Sequence, residues 1–74
     1  MQKNKIENSE YVKELKKAAN DESLIFDGFD MNGRELFISK KNENLEYTID
    51  YLGNFWKHNG FTEKKIGEYK LKGI

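Results

Sequence analysis

The sequence predicts an α+β domain: an N-terminal helix packed on a four-stranded antiparallel meander, followed by a short C-terminal helix or edge strand. Apolar residues recur every three to four positions near the start of the chain and every two positions from residue 23 to 58. Tight-turn signals separate the alternating segments. A chain of 74 residues holds one hydrophobic core, so residues 1–74 are expected to form a single domain.

The first predicted element is an amphipathic helix over residues 9–20. Val12 and Leu15 lie at the three-residue spacing that places side chains on one helical face. Asn8 or Ser9 can cap the first turn of this helix by accepting a backbone hydrogen bond. Residues 1–7 are mostly polar and are expected to be frayed.

Asn32-Gly33 predicts a hairpin between the first two strands. A two-residue type I′ turn needs positive φ at both central residues, which Asn and Gly tolerate. This turn pairs Phe29 with Leu36, and a bulge at Gly28 is expected to shift the first strand.

The third and fourth strands follow from the alternation over residues 45–51 and from a second turn signal at Gly53. The expected pairing sets Ile38 beside Tyr47, and a type II′ turn at Gly53 sets Tyr51 beside Trp56.

These pairings predict which side chains form the core face beneath the helix: Ile25, Phe29, Met31, Leu36, Ile38, Leu45, Tyr47, Ile49, Tyr51 and Trp56. Leu24, Phe26 and Phe37 fall on the outer face, where either the C-terminal segment or a partner would cover them. For that C-terminal segment we favour a short helix from Thr62, although residues 68–72 alternate like an edge strand.

Composition excludes several function classes. The chain has no cysteine, so disulfides and thiolate metal sites are excluded, and no cofactor is expected. The longest apolar runs are three residues, which predicts no membrane segment, no secretory leader and a cytoplasmic protein. The net charge is zero, with eight acidic and three basic groups over residues 21–51 and two acidic and five basic groups over residues 52–74.

The predicted register brings Asp30, Glu35, Asp50 and Lys57 into one row on the outer sheet face. Neighbouring carboxylates destabilise a sheet unless something compensates. The simplest explanation is a solvated face on which Lys57 offsets part of the repulsion. The alternatives are recognition of a basic partner surface and binding of a hard cation. Because the sequence contains no dedicated ligand loop, we predict no metal site.

A catalytic site is not predicted. His58 is the only histidine, and a half-buried structural role suits it better than that of a general base, because no orienting partner is evident. The serines Ser9, Ser23 and Ser39 lie in no nucleophile-elbow sequence. We therefore expect that the protein is not an enzyme.

Elimination leaves a small non-catalytic protein-interaction module such as an inhibitor, an immunity-type protein or a regulator. Its predicted partner-binding residues lie on the outer sheet face: Asp30, Glu35, Asp50, Phe26 and Phe37.

The alternative function is nucleic-acid binding through the basic C-terminal segment, since lysines track phosphates and aromatic rings stack on bases. The candidate residues for this alternative are Lys64, Lys65, Tyr69, Lys70 and Lys72.

Overall fold

The computed structural model describes residues 9–69, and the α+β class is confirmed for that range. One helix precedes five strands: α1 Glu10–Ala19, β1 Leu24–Phe29, β2 Glu35–Ser39, β3 Leu45–Ile49, β4 Asn54–Asn59 and β5 Thr62–Glu68. The strands form one antiparallel sheet in the order of the sequence. The sheet thus has one strand more than predicted. The predicted fraying of residues 1–7 lies outside the described range.

Helix α1 matches the predicted range 9–20 to within one residue at each end. Val12 and Leu15 are buried and form the contact with the sheet. Asn20 ends the helix in the left-handed conformation, at φ 55°, and its N–H bonds to carbonyl groups of the last turn.

The β1–β2 hairpin differs from the predicted two-residue turn. Its loop has three residues, because the Asp30 N–H bonds to the Arg34 carbonyl and the Gly33 N–H bonds to the Asp30 carbonyl. This is a type I turn closed by a residue with positive φ, here Gly33 at 80°. The pairing is therefore Phe29 with Glu35 rather than with Leu36, a slip of one residue. The predicted bulge at Gly28 is present as a register shift between positions 26 and 29.

The β2–β3 register also differs by one residue from the prediction, because Phe37 rather than Ile38 pairs with Tyr47. Since successive side chains in a strand point to opposite sides, this shift interchanges the two faces of β2, and β1 follows because Ile25 pairs with Ile38. Phe26 and Phe37, which were expected on the outer face, are buried beneath α1, and Phe37 pairs with Tyr47. Ile25, Leu36 and Ile38 lie on the outer face instead. The buried apolar core consists of Val12, Leu15, Leu24, Phe26, Phe37, Tyr47, Ile49 and Phe55.

The turn after β3 also departs from the prediction. Strand β3 ends at Ile49, and the Asp50 N–H bonds to the Asn54 carbonyl across a three-residue loop. Trp56 consequently pairs with Thr48, not with Tyr51, and lies on the outer face.

A fifth strand replaces the helix that we favoured from Thr62. Strand β5 pairs along the whole of β4, which supplies partners for backbone groups that a short surface helix would leave open to water. Gly67 lies against the buried Phe55 ring, where a Cβ atom would come within 3.2 Å of Cδ2. The glycine that weakens a helix therefore fits this strand.

The outer sheet face is partly covered by its own long side chains. The Arg34 guanidinium lies 5.3 Å from the centre of the Trp56 ring and pairs with Glu63 at 3.3 Å. The side chain of His58 is 20% exposed, and its Nε2 lies 2.8 Å from the Thr48 hydroxyl. These contacts agree with a structural role for His58.

A buried carboxylate fastens the end of α1 to the sheet. Asp21 accepts hydrogen bonds from the hydroxyl groups of Ser23 and Ser39, both at 2.6 Å. The hydrogen bond from Ser23, followed by that from Ser39, lowers the pKa of Asp21, and burial opposes this effect.

Candidate binding site

Two turns of matching design lie at one end of the sheet. In the first, Asp30 Oδ1 accepts the N–H groups of Asn32 and Arg34 at 2.8 and 2.9 Å. In the second, Asp50 Oδ1 accepts the N–H groups two and four residues later at 3.0 and 2.9 Å. An antiparallel meander places these alternate turns at the same end. We call residues 29–35 and 49–54 the turn end.

The turn end exposes large apolar side chains. Four of them are more than half exposed: Phe29 at 62%, Met31 at 102%, Tyr51 at 91% and Leu52 at 66%. Single exposed apolar residues are ordinary, but a group of this kind at one end is typical of an interaction surface. Phe61, which is 109% exposed, lies alone in the turn at the opposite end.

A cavity of about 210 Å³ lies beside the β3–β4 turn, on the side that faces the start of α1. It is lined by Tyr11, Glu35, Ile49, Asp50, Tyr51, Gly53 and Tyr69. Tyr69, the residue after β5, borders it, and the Tyr69 N–H bonds to the Gly53 carbonyl at 2.8 Å. The ring of Tyr69 lies 6.2 Å from the ring of Tyr11.

Glu35 is the unusual acidic group of this cavity. Its Oε2 accepts the hydroxyl of Tyr11 at 3.0 Å, whereas Oε1 is buried and has no hydrogen-bond partner within residues 9–69. Burial raises the pKa of the Glu35 carboxyl, and the Tyr11 hydrogen bond only partly opposes this. The pKa of Tyr11 is also raised, by burial and by the neighbouring carboxylate.

Asp50 differs from Glu35 because both of its oxygens are satisfied. In addition to the two backbone groups, Oδ2 accepts the Asn54 amide and the Trp56 indole N–H, both at 3.1 Å. Burial alone would raise the pKa of Asp50, but these hydrogen bonds outweigh burial and lower it. Asp50 therefore organises the turn and carries a stabilised negative charge.

The structure does not place the predicted acidic residues in one row on the outer sheet face. Glu35 lies on the helix-covered side, and Asp30 and Asp50 cap the two turns, so the structure brings Glu35 and Asp50 to one cavity and leaves Asp30 on the neighbouring turn. Lys57 lies away from them, opposite Tyr47 and Lys64. The predicted aromatic members, Phe26 and Phe37, are buried and present no surface to a partner.

The described residues of the predicted nucleic-acid-binding segment do not form one basic surface. Lys64 and Lys65 are consecutive in β5 and point to opposite faces. Lys65 pairs with Glu68 at 2.9 Å, and Tyr69 lines the cavity. Lys70 and Lys72 lie outside the described residues.

Sequence reasoning missed Tyr11 as a site residue and named Tyr69 only as a candidate for nucleic-acid binding. The signal that could have located the turns is the repeated Asp-x-x-Gly pattern, which occurs at residues 30–33 and 50–53.

Glu35→Gln should change how stability depends on pH. Folding raises the pKa of Glu35 above its ordinary value of 4.5. The contribution of this group to the unfolding free energy is therefore fully present below pH 4.5 and is lost as the pH rises through the folded-state pKa. Glutamine has no proton to release, so the unfolding free energy of the variant relative to wild type should increase between about pH 4 and pH 7. Urea denaturation at both pH values measures this.

The exposed Glu43→Gln is the matched control for that experiment. A difference between Glu35→Gln and wild type that stays constant across the same pH range would contradict the burial of this carboxyl.

Within the described part of the chain, no group of three or more His, Cys, Asp or Glu side chains could hold a metal ion. The one helix in that range is ten residues long, and no helix there is long and apolar enough to cross a membrane. Comparison with known proteins finds no match to a family model, to a curated protein or to a solved structure.

Proposed function

We propose that this protein is a small non-catalytic interaction module, of the inhibitor, immunity or regulatory type, that binds a protein partner through its turn end. The observation that carries the proposal is the group of four exposed apolar side chains on the two turns. Interaction sites commonly combine such apolar side chains with loops held by a rigid scaffold. Here the aspartate-capped turns supply the rigidity.

The turn end suits a partner better than the outer sheet face does. Arg34 already covers Trp56 and reaches Glu63 on that face, so a partner would first have to displace a formed ion pair. Met31 and Tyr51 have no such cover and can be buried without breaking an internal contact of this kind.

Charge indicates the kind of partner surface. The turn end and the adjoining bulge carry the carboxylates of Asp27, Asp30, Glu35 and Asp50 against the single guanidinium of Arg34. Hydrogen bonds from neutral N–H groups do not remove the charge of the aspartates. A partner with a basic surface that also offers apolar contacts is therefore complementary in both respects.

The arrangement of potential catalytic groups supports a binding role. The nitrogens of His58 face Thr48 and Glu63, at 2.8 and 3.6 Å. Ser23 and Ser39 donate their hydroxyl protons to Asp21 rather than to a histidine. These contacts stabilise the fold and give no nucleophile paired with a general base.

The proposal predicts that Met31→Ser combined with Leu52→Ser weakens partner capture by about tenfold or more, because apolar anchors dominate interface energies. Both side chains are exposed, so circular dichroism and melting should stay close to wild type. Phe61→Ser is the matched control, since it removes an equally exposed ring from the opposite end. Captured proteins are quantified by mass spectrometry from nuclease-treated extract at low and moderate salt.

Two results would contradict the proposal. One is capture of the same proteins by wild type and by the double variant. The other is capture that disappears on nuclease treatment, which would favour nucleic-acid binding.

A further inference from the structure

Glu35 lines the cavity, and one of its carboxylate oxygens has no hydrogen-bond donor among residues 9–69. Tyr11 supplies one donor to the carboxylate, and no described residue supplies a second. A buried carboxylate without full hydrogen bonding is costly. Oε1 is buried, so a donor in the cavity reaches a carboxylate oxygen only after rotation about the last side-chain bond, a torsion that is broad for glutamate. A donor in the cavity would satisfy the carboxylate.

The walls of the cavity favour a donor with positive charge. Tyr11, Tyr51 and Tyr69 line it, and aromatic rings attract cations. Asp50, on the same rim, adds a second negative charge whose oxygens are already bonded. A cation in the cavity would therefore contact the Glu35 carboxylate, which needs a donor, and the aromatic residues. The Asp50 carboxylate would add electrostatic attraction.

The number of free acceptors distinguishes between cations. A quaternary ammonium has no N–H group and would leave the Glu35 oxygen without a donor. A guanidinium binds best when both carboxylate oxygens are free, but Tyr11 holds one of them. A primary ammonium needs one acceptor and brings a narrow alkyl chain, for which about 210 Å³ is ample space.

We propose that the cavity at the turn end binds the primary ammonium group of a lysine side chain presented by the protein partner. This inference rests on the proposed function and names the chemistry that the turn end recognises. The exposed apolar side chains make the wider contact, and Glu35 receives the lysine between the turn and α1.

The test uses n-butylammonium as the probe and tetramethylammonium as the comparison, both as chlorides at constant ionic strength. Heteronuclear NMR of the full chain should show saturable shifts of the Tyr11, Glu35 and Gly53 amides with n-butylammonium. The affinity for tetramethylammonium should be weaker by about tenfold or more, the range that a hydrogen bond to a charged group gives.

Variants separate this inference from the proposed function. Glu35→Gln should lose n-butylammonium binding by about tenfold or more, whereas Asp27→Asn, which removes an exposed carboxylate outside the cavity, should retain it. The Met31→Ser, Leu52→Ser double variant should lose partner capture and keep n-butylammonium binding. If n-butylammonium binds but the double variant still captures the partner, only the proposed function is refuted.

Three results would overturn the lysine site itself. The first is an equal affinity for the two ammonium ions, and the second is unchanged binding by Glu35→Gln. The third is n-butylammonium binding that appears only when Lys70 and Lys72 are both replaced by glutamine. This result would mean that the cavity binds a lysine of the chain itself.

Discussion

Replacing Phe37 by alanine should lower the free energy of unfolding by about 3–5 kcal/mol, the usual cost of truncating a buried phenylalanine. Phe37 is 0% exposed and lies at the centre of the helix-covered face, where it pairs with Tyr47 and contacts the Phe26 ring. A domain of this size holds little more stability than that. Urea denaturation followed by circular dichroism should find the variant largely unfolded.

Leu36→Ala is the matched control, because it truncates the neighbouring side chain on the opposite face. Leu36 is only partly buried, so its truncation should cost about 1 kcal/mol. The pair of variants tests the register directly. A larger loss for Leu36→Ala than for Phe37→Ala would restore the face assignment predicted from the sequence.

That assignment failed for a definable physical reason. The triplets Leu24-Ile25-Phe26 and Leu36-Phe37-Ile38 are apolar on both faces, so alternation does not specify which face is buried. The buried face of β2 then depends on its register with β3, in which Phe37 rather than Ile38 pairs with Tyr47. The Asp30 carboxylate separately stabilises a three-residue β1–β2 loop where Asn32-Gly33 favours a two-residue one.

The elements themselves were more predictable than their register. The helical spacing of Val12 and Leu15 located α1 to within one residue at each end, and the alternation after residue 44 located β3. The fifth strand was predicted only as the less favoured alternative to a short helix. Gly67 weakens both a helix and a strand, and its contact with Phe55 decides between them.

The candidate site was predictable only in part. Glu35 and Asp50 were singled out by their charge, and the structure brings both to one cavity. Their roles differ for a reason that depends on tertiary contacts: Trp56 bonds to Asp50, while Glu35 receives only the hydroxyl of Tyr11, a residue 24 positions away in sequence. A periodic pattern does not reveal such pairs.

The closing wall of the cavity depends on Gly53, and Gly53→Ala should cost about 2–4 kcal/mol of unfolding free energy. Its φ of 88° is strained for alanine, at about 1–2 kcal/mol. A Cβ atom there would also collide with the Tyr69 carbonyl. The collision would break the Tyr69 N–H bond to the Gly53 carbonyl and move the Tyr69 ring away from Tyr11.

Gly33→Ala isolates the strain from the collision. Gly33 has a similar φ of 80° in the matching turn, but no atom lies within 4 Å of the Cβ position. The unfolding free energy of Gly33→Ala should therefore fall only by the cost of the backbone strain, about 1–2 kcal/mol. Denaturation compares the two losses, and amide shifts of Tyr11 and Tyr69 report whether the cavity wall has moved. Equal losses with an undisturbed Tyr69 would mean that β5 does not hold its end against the β3–β4 turn, and the cavity would lose the wall on which cation binding depends.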